Sequence, residues 1–260
     1  MRAWLVVGLV LVCTASAATA QRRPPAVACA SAEETDSIAS IGERQEIRLA
    51  SGRLARLSGL HFTIDASPVS PAALWLMRHA GRALAVATTG PEDRWGRLAV
   101  RLKRRDTPNL DLAHGLLEEG LAVVDAPGPC QPELLAIEET ARERGVGVWG
   151  EAGYKPAPAD DREILAGRIG RFTLVEGRVR SVGERRQRTY LNFGPDGTKD
   201  LTITIPKRTW TTMVDKGLSA TALRGARIRV RGVLEVGRGP TIEVAAAEAI
   251  EVLDRGRERR

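Results

Sequence analysis

Near the middle of the 260-residue chain, Gly153, Pro156, Pro158 and the paired Asp160 and Asp161 interrupt every hydrophobic period across GEAGYKPAPADDREILAG;. The charge balance changes at the same place. Residues 21 to 163 carry 18 Lys and Arg against 21 Asp and Glu, net −3, whereas residues 164 to 260 carry 20 against 11, net +9. A chain so divided reads as two small domains, 40–152 and 164–254, with a linker at 153–163 and a segment 21–39 ahead of them. A polyanion would meet the basic second half first.

At the N-terminus, Arg2 precedes an apolar run from Ala3 to Val12 and small residues ending in Ala18, Thr19 and Ala20. This order reads as a cleaved secretory signal over residues 1–20, and the run is too short to span a bilayer. The expected location is periplasmic or secreted, with no transmembrane segment after cleavage. Cleavage leaves Cys29 and Cys130 as an even pair in an oxidising space, expected to form one disulfide;. Closing a loop of roughly 100 residues is worth about 4–5 kcal/mol. Two unrelated buried thiols are the alternative. Residues 255–260 read as a basic tail that adds affinity without sequence choice.

In the first domain, the apolar residues between Glu46 and Leu60 flank the turn signal Ala50-Ser51-Gly52 and predict a hairpin;. Ser70 and Pro71 open a helix, and the strands ALAVAT and RLAVRL flank the loop TGPEDRWG;. Two further helices follow: LDLAHGLLEEG, and a longer one in which Leu134, Leu135, Ile137, Thr140 and Ala141 face one way until Gly145 stops it;. The resulting class is α+β, a small OB-like β-barrel with three helices.

GRLARLSGL, DRWGRLAVRL, LLEEGLAVV and ELLAIEETARERGVGVWGE, in that order, resemble the staphylococcal nuclease (thermonuclease-like) family across residues 40–152. The resemblance implies calcium-dependent phosphodiester cleavage, with carboxylates on the metal, a glutamate to activate water and two arginines on the phosphate. Both arginine positions are kept, as Arg56 and Arg97. The metal-ligand positions fall on Gln45, His61 and Phe62, and the base position falls on Ile64. One well-placed charge donor supplies about 3–4 kcal/mol. Two arginines therefore fall far short of the roughly 8–23 kcal/mol of enzymic rate gains, and the site reads as degenerate.

Other readings stay open. A one-residue insertion would put Asp65 at the base position, with calcium as cofactor only if the nuclease is active. His61 could hold zinc or act as base. Arg56 and Arg97 could instead pair with Asp93 or Glu92 as structural bridges. Trp95 and Trp149 read as packing residues.

The second domain alternates apolar and charged residues almost throughout, with one helical crossing between its third and fourth strands, the plan of a mainly-β OB fold. GRVRSV, TYLNFG, RIRVRG and GPTIEV resemble OB-type nucleic-acid-binding domains. The resemblance implies single strands stacked on aromatics and tracked by cations: Tyr190 and Trp210, with Arg180, Arg185, Arg186, Arg188 and Lys207. Tyr190 and Phe193 fall on opposite faces of one strand, so at most one is a platform. Arg227, Arg229 and Arg231 share a face that is either ligand-binding or merely solvated. The expected function is non-catalytic binding of single-stranded nucleic acid or another polyanion. The alternatives are an active divergent metal-dependent nuclease and a cell-envelope scaffold with a protein partner.

Overall fold

A computed structural model describes residues 33–43, 46–62, 69–107, 110–125 and 133–254. The expected signal segment, Cys29, Cys130, Gln45, Ile64, Asp65 and the basic tail lie outside the described residues. The fold is mixed α+β, with a curled half-barrel sheet, further sheets and, among the described residues, six α-helices. None of these helices is long and apolar enough to cross a membrane.

The first half runs β1 (Glu34–Asp36), β2 (Ile38–Ile41), β3 (Ile47–Leu49), β4 (Leu54–Leu57), β5 (Leu60–His61), α1 (Pro71–Met77), β6 (Leu84–Gly90), β7 (Arg97–Arg104), α2 (Leu112–Glu118), β8 (Val123–Val124) and α3 (Glu133–Glu143). Strands β3 and β4 are the hairpin expected from the sequence; its turn holds Gly52 at φ 88°, where a side chain is strained;. Helix α1 starts where Ser70 Oγ accepts the Ala73 N–H at 3.2 Å, with Pro71 in the first turn;. Asp111 caps α2 in the same manner, accepting from Ala113 N at 2.9 Å.

The main sheet has the order β1-β6-β7-β4-β3-β2. Its two end strands, β1 and β2, are separated in sequence by Ser37 alone, so the sheet curls until its ends are continuous along the chain. Inside lie Ile38, Ile47, Leu57 and Leu102 from the strands, packed with Leu76 of α1 and Leu116 of α2.

The second half contains β9 (Ala157–Pro158), α4 (Arg162–Ala166), β10 (Phe172–Arg178), β11 (Ser181–Glu184), β12 (Arg188–Asn192), β13 (Thr202–Pro206), α5 (Lys207–Asp215), α6 (Ala220–Leu223), β14 (Arg227–Val236), β15 (Pro240–Glu243) and β16 (Ile250–Val252). The strand order is β11-β12-β13-β15-β14-β10-β9, with β16 also on β14. With β1–β2 and β10–β11 each counted as one bent strand, both halves share one connectivity. The third and fifth strands pair in parallel, β4 with β7 and β13 with β15, and helix lies between the third and fourth. The stretch 153–163, expected as a linker, is instead built into the second half. Its two prolines did not prevent pairing: β9 runs parallel to β10, and Ala157 and Ala159 are buried in the second core.

The two halves meet through α3 and β14. Arg231 and Glu138 are each 1% exposed and pair at 2.9 Å. Val124 completes the knot, its N–H donating to Glu138 Oε2 at 2.6 Å and its carbonyl accepting from Arg231 Nη1 at 2.7 Å. Glu251 takes the other end of the Arg231 guanidinium. Arg229 bridges Glu176 at 2.8 Å and Glu139 at 3.0 Å. The solvated or ligand-binding face expected for Arg229 and Arg231 is therefore a buried joint; of the three arginines only Arg227 is exposed. The alternation was as expected, but the face is covered by α3, about ninety residues earlier in the chain. Helix α3 accordingly buries Leu134, Glu138 and Ala141, so its inner face includes an acid, while Thr140, expected on that face, is exposed. Apolar packing by Val123, Ala141, Val148, Trp149 and Leu174 surrounds the ion pairs.

His61 belongs to the same joint. Its ring stacks on Phe172 of the second half, with centroids 4.3 Å apart and planes at 17°. Burial pushes the imidazole below its usual pKa of 6.5, with Asp125 pulling weakly the other way;. A depressed histidine pKa means that the unfolded chain binds the proton more readily. Stability from this site is thus complete above about pH 6.5 and declines as the pH falls below it. Replacement His61→Phe keeps the stack and is expected to shrink the loss of stability between about pH 7.5 and about pH 5.5, read from urea midpoints. An unchanged acid loss would place the titrating group elsewhere.

Candidate functional site

Two clusters contain the residues singled out by sequence. In the first half, Arg56 on β4 and Arg97 on β7 lie on neighbouring parallel strands, where Leu54 opposes Arg97 and Arg56 opposes Ala99. Both guanidinium groups turn toward Asp93, Arg97 Nε and Nη2 at 2.8 Å and Arg56 Nε at 3.7 Å. Asp93 is itself fixed by the β6–β7 turn, accepting the N–H groups of Trp95 at 2.9 Å and Arg97 at 3.1 Å, while Gly96 takes φ 71°. Desolvation acts to raise the Asp93 carboxyl, but these N–H groups and the Arg97 guanidinium outweigh it and hold it below the usual carboxylate value;. A carboxylate kept ionised in this way offsets the charge that the arginines would present to a phosphate.

The other positions implied by the resemblance are spent on packing. His61 is stacked at the joint, and Phe62 packs against the first core. Neither offers the carboxylate oxygens that calcium needs, so the described positions do not fit that ion. No group of three or more His, Cys, Asp or Glu side chains is placed to hold a metal among the described residues. Trp95 is a correction. It was expected in the core, yet it is 48% exposed on the turn, with the Arg94 and Arg97 guanidinium groups 4.1 and 4.9 Å from its ring centroid;. The turn built by Asp93 and Gly96 lifts it away from the sheet. Trp149 does pack as expected, 2% exposed.

The second cluster is a cleft of about 600 Å³ on the outer face of β12, β13 and β15. Alternation along β12 sends Thr189 and Leu191 into the core and leaves Tyr190 and Asn192 lining the cleft;. Tyr190 stands opposite Thr204, Asn192 opposite Thr202, and Thr202 opposite Thr241, so the floor is a continuous polar row across three strands. Its rim carries Arg185 from the β11–β12 turn and Arg238 from the β14–β15 turn, both exposed. The wall formed by Thr198 depends on glycine: a Cβ on Gly239 would lie 2.8 Å from the Thr198 backbone.

Of the residues nominated here, Tyr190 and Arg185 line the cleft, and Arg180 and Arg186 are exposed. Arg188 pairs with Glu243, and Lys207 with Glu184 at 2.9 Å, which reduces what either offers a phosphate. Trp210 is overturned as a stacking platform. It sits on the inner face of α5 at 2% exposure, its Nε1–H donating to Glu184 at 2.9 Å. Phe193 packs partly into the second core, which leaves Tyr190 as the aromatic of that strand facing the cleft. Arg238 was missed, although its place between Gly237 and Gly239 in a tight turn marks an exposed side chain;. No known protein-family model matches the chain, and no curated protein matches it significantly in sequence.

Proposed function

We propose that the chain is an exported protein, periplasmic or secreted, that binds single-stranded nucleic acid without cutting it. Its first half keeps a thermonuclease-like scaffold from which the catalytic carboxylates have gone. The strand order of both halves is compatible with an OB fold, and the cleft of the second lies on the strand face with which such barrels take oligonucleotides;. The observation that carries the proposal is the cleft itself: one aromatic, Tyr190, set in a polar floor and flanked by the exposed Arg185 and Arg238. An aromatic face stacks a base of any sequence, and the guanidinium groups follow the phosphates. Arg56 and Arg97, tied to Asp93, contribute less to such binding than their position suggests.

Affinity is expected to depend on salt, because each phosphate neutralised releases counterions. Contacts from Arg185, Arg186 and Arg238 imply a slope of about −2 for log K against log salt, so a fourfold rise in salt weakens binding roughly 20-fold. Fluorescence anisotropy of a labelled oligonucleotide measures this directly. Binding that is indifferent to salt would remove phosphate recognition from the account.

A further inference from the structure

The direction of the hydrogen bonds in the cleft carries information about its ligand. A threonine hydroxyl has one proton to donate and two lone pairs to accept with. Thr198 Oγ1 lies 2.6 Å from Asp196 Oδ1, and Thr241 Oγ1 lies 3.0 Å from the Gly239 carbonyl. Desolvation would raise the Asp196 carboxyl, but the Thr198 hydroxyl and backbone N–H come first in holding it low, so it is an ionised acceptor. A carboxylate and a carbonyl only accept, so both threonines must be the donors. Thr202 Oγ1 is turned to the Asn192 amide oxygen in the same sense, at 3.4 Å. What these hydroxyls retain for a ligand is acceptor capacity. Along this side of the cleft Thr198, Thr202 and Thr241 thus present acceptors beneath a donating, cationic rim;.

A bare phosphodiester satisfies the rim and offers nothing to these three hydroxyls, since its oxygens only accept. A ligand that suits both carries anionic oxygens outward and hydroxyl donors inward. Ribose supplies such a donor at its 2′ position and deoxyribose does not. We propose that the cleft prefers single-stranded RNA to single-stranded DNA of the same bases, the 2′-hydroxyl donating to Thr198 or Thr241. This rests on the binding function proposed above, and names the class of strand that the same cleft takes.

The test compares three labelled oligouridylates that share one base and one length: ribose, deoxyribose and 2′-fluoro-ribose. The fluoro sugar keeps the ribose-like pucker and loses the donor, which separates hydrogen bonding from strand geometry. The expected result is a preference for the ribose strand of roughly 3- to 10-fold over both others, the size of one net hydrogen bond. In Thr241→Val and Thr198→Val the ratio of ribose to deoxyribose affinity should fall toward one, whatever the absolute affinities. Equal affinity for ribose and deoxyribose strands, or equal affinity for ribose and 2′-fluoro strands, would overturn the proposal while leaving the binding function intact. No affinity for any of the three would overturn both.

Discussion

Replacement Arg231→Met is expected to destabilise the protein by about 3–5 kcal/mol, the cost of leaving one member of a buried ion pair without its partner. Glu138 is 1% exposed, and it would keep one donor, the Val124 N–H at 2.6 Å, with the Arg142 guanidinium as an ion-pair contact at 3.7 Å. The Val124 carbonyl would lose its donor in the same step. The double variant Glu138→Leu with Arg231→Met should recover part of the loss, since an apolar pair of similar volume removes the buried charge. Recovery stays incomplete because both polar groups of Val124 are then unpaired. As a control, Arg227→Met at the exposed end of the same row, where the side chain pairs with Glu176 at 3.0 Å in solvent, should fall within about 1 kcal/mol of the parent;. Urea unfolding measures all three. Because the pair joins α3 to β14, both halves should unfold in a single transition in the parent. A loss below about 1 kcal/mol for Arg231→Met would mean that the joint is not held by this pair.

The largest effect on binding is expected at Tyr190. Truncation to alanine removes the stacking face in the cleft, and base–aromatic stacking is worth about 1–3 kcal/mol, or roughly 5- to 150-fold in affinity. Tyr190 stands on β12 opposite Thr204 and Gly183, with its side chain outside the core, so the substitution should leave stability nearly unchanged. Tyr190→Phe should bind almost as tightly as the parent, because the ring and not the hydroxyl does the stacking. Trp210→Phe serves as the contrast: it changes a core residue that donates to Glu184 and should lower stability while moving affinity little. Equal affinity of Tyr190→Ala and the parent would place the ligand on another face.

Much of this architecture is legible in the sequence because its signals are local. Ser70-Pro71, the turn at Gly52 and the stop at Gly145 each act through contacts a few residues away, and each lies where its chemistry predicts. Alternation along β12 and the residue that follows it likewise assigned Tyr190 and Phe193 to different surroundings. The joint was not legible in the same way. Glu138 follows Leu134 by four residues and precedes Ala141 by three, so its spacing places it on the buried face; its charge argued for solvent;. The partner that makes burial tolerable is Arg231, ninety-three residues later, which no local pattern announces. Arg229 and Arg231 alternated correctly for a surface strand, and the error lay in not foreseeing what covers them. For Arg56 and Arg97, pairing with Asp93 was one of two open readings, and the distances favour it. Trp95 failed as a core residue because the Asp93–Gly96 turn, not its hydrophobicity, decides where it points.

Binding without cleavage is the property that decides what this protein does. The most direct measurement incubates the protein with an end-labelled single-stranded oligonucleotide at low salt, with calcium, with zinc and with chelator, and separates the products on native and denaturing gels. The expected result is a retarded complex in all three conditions, lost as salt is raised, from which the strand is recovered at full length. Metal-dependent shortening that disappears in Arg97→Ala would contradict the account and return the first half to enzyme chemistry; no retardation at low salt would remove the binding function itself.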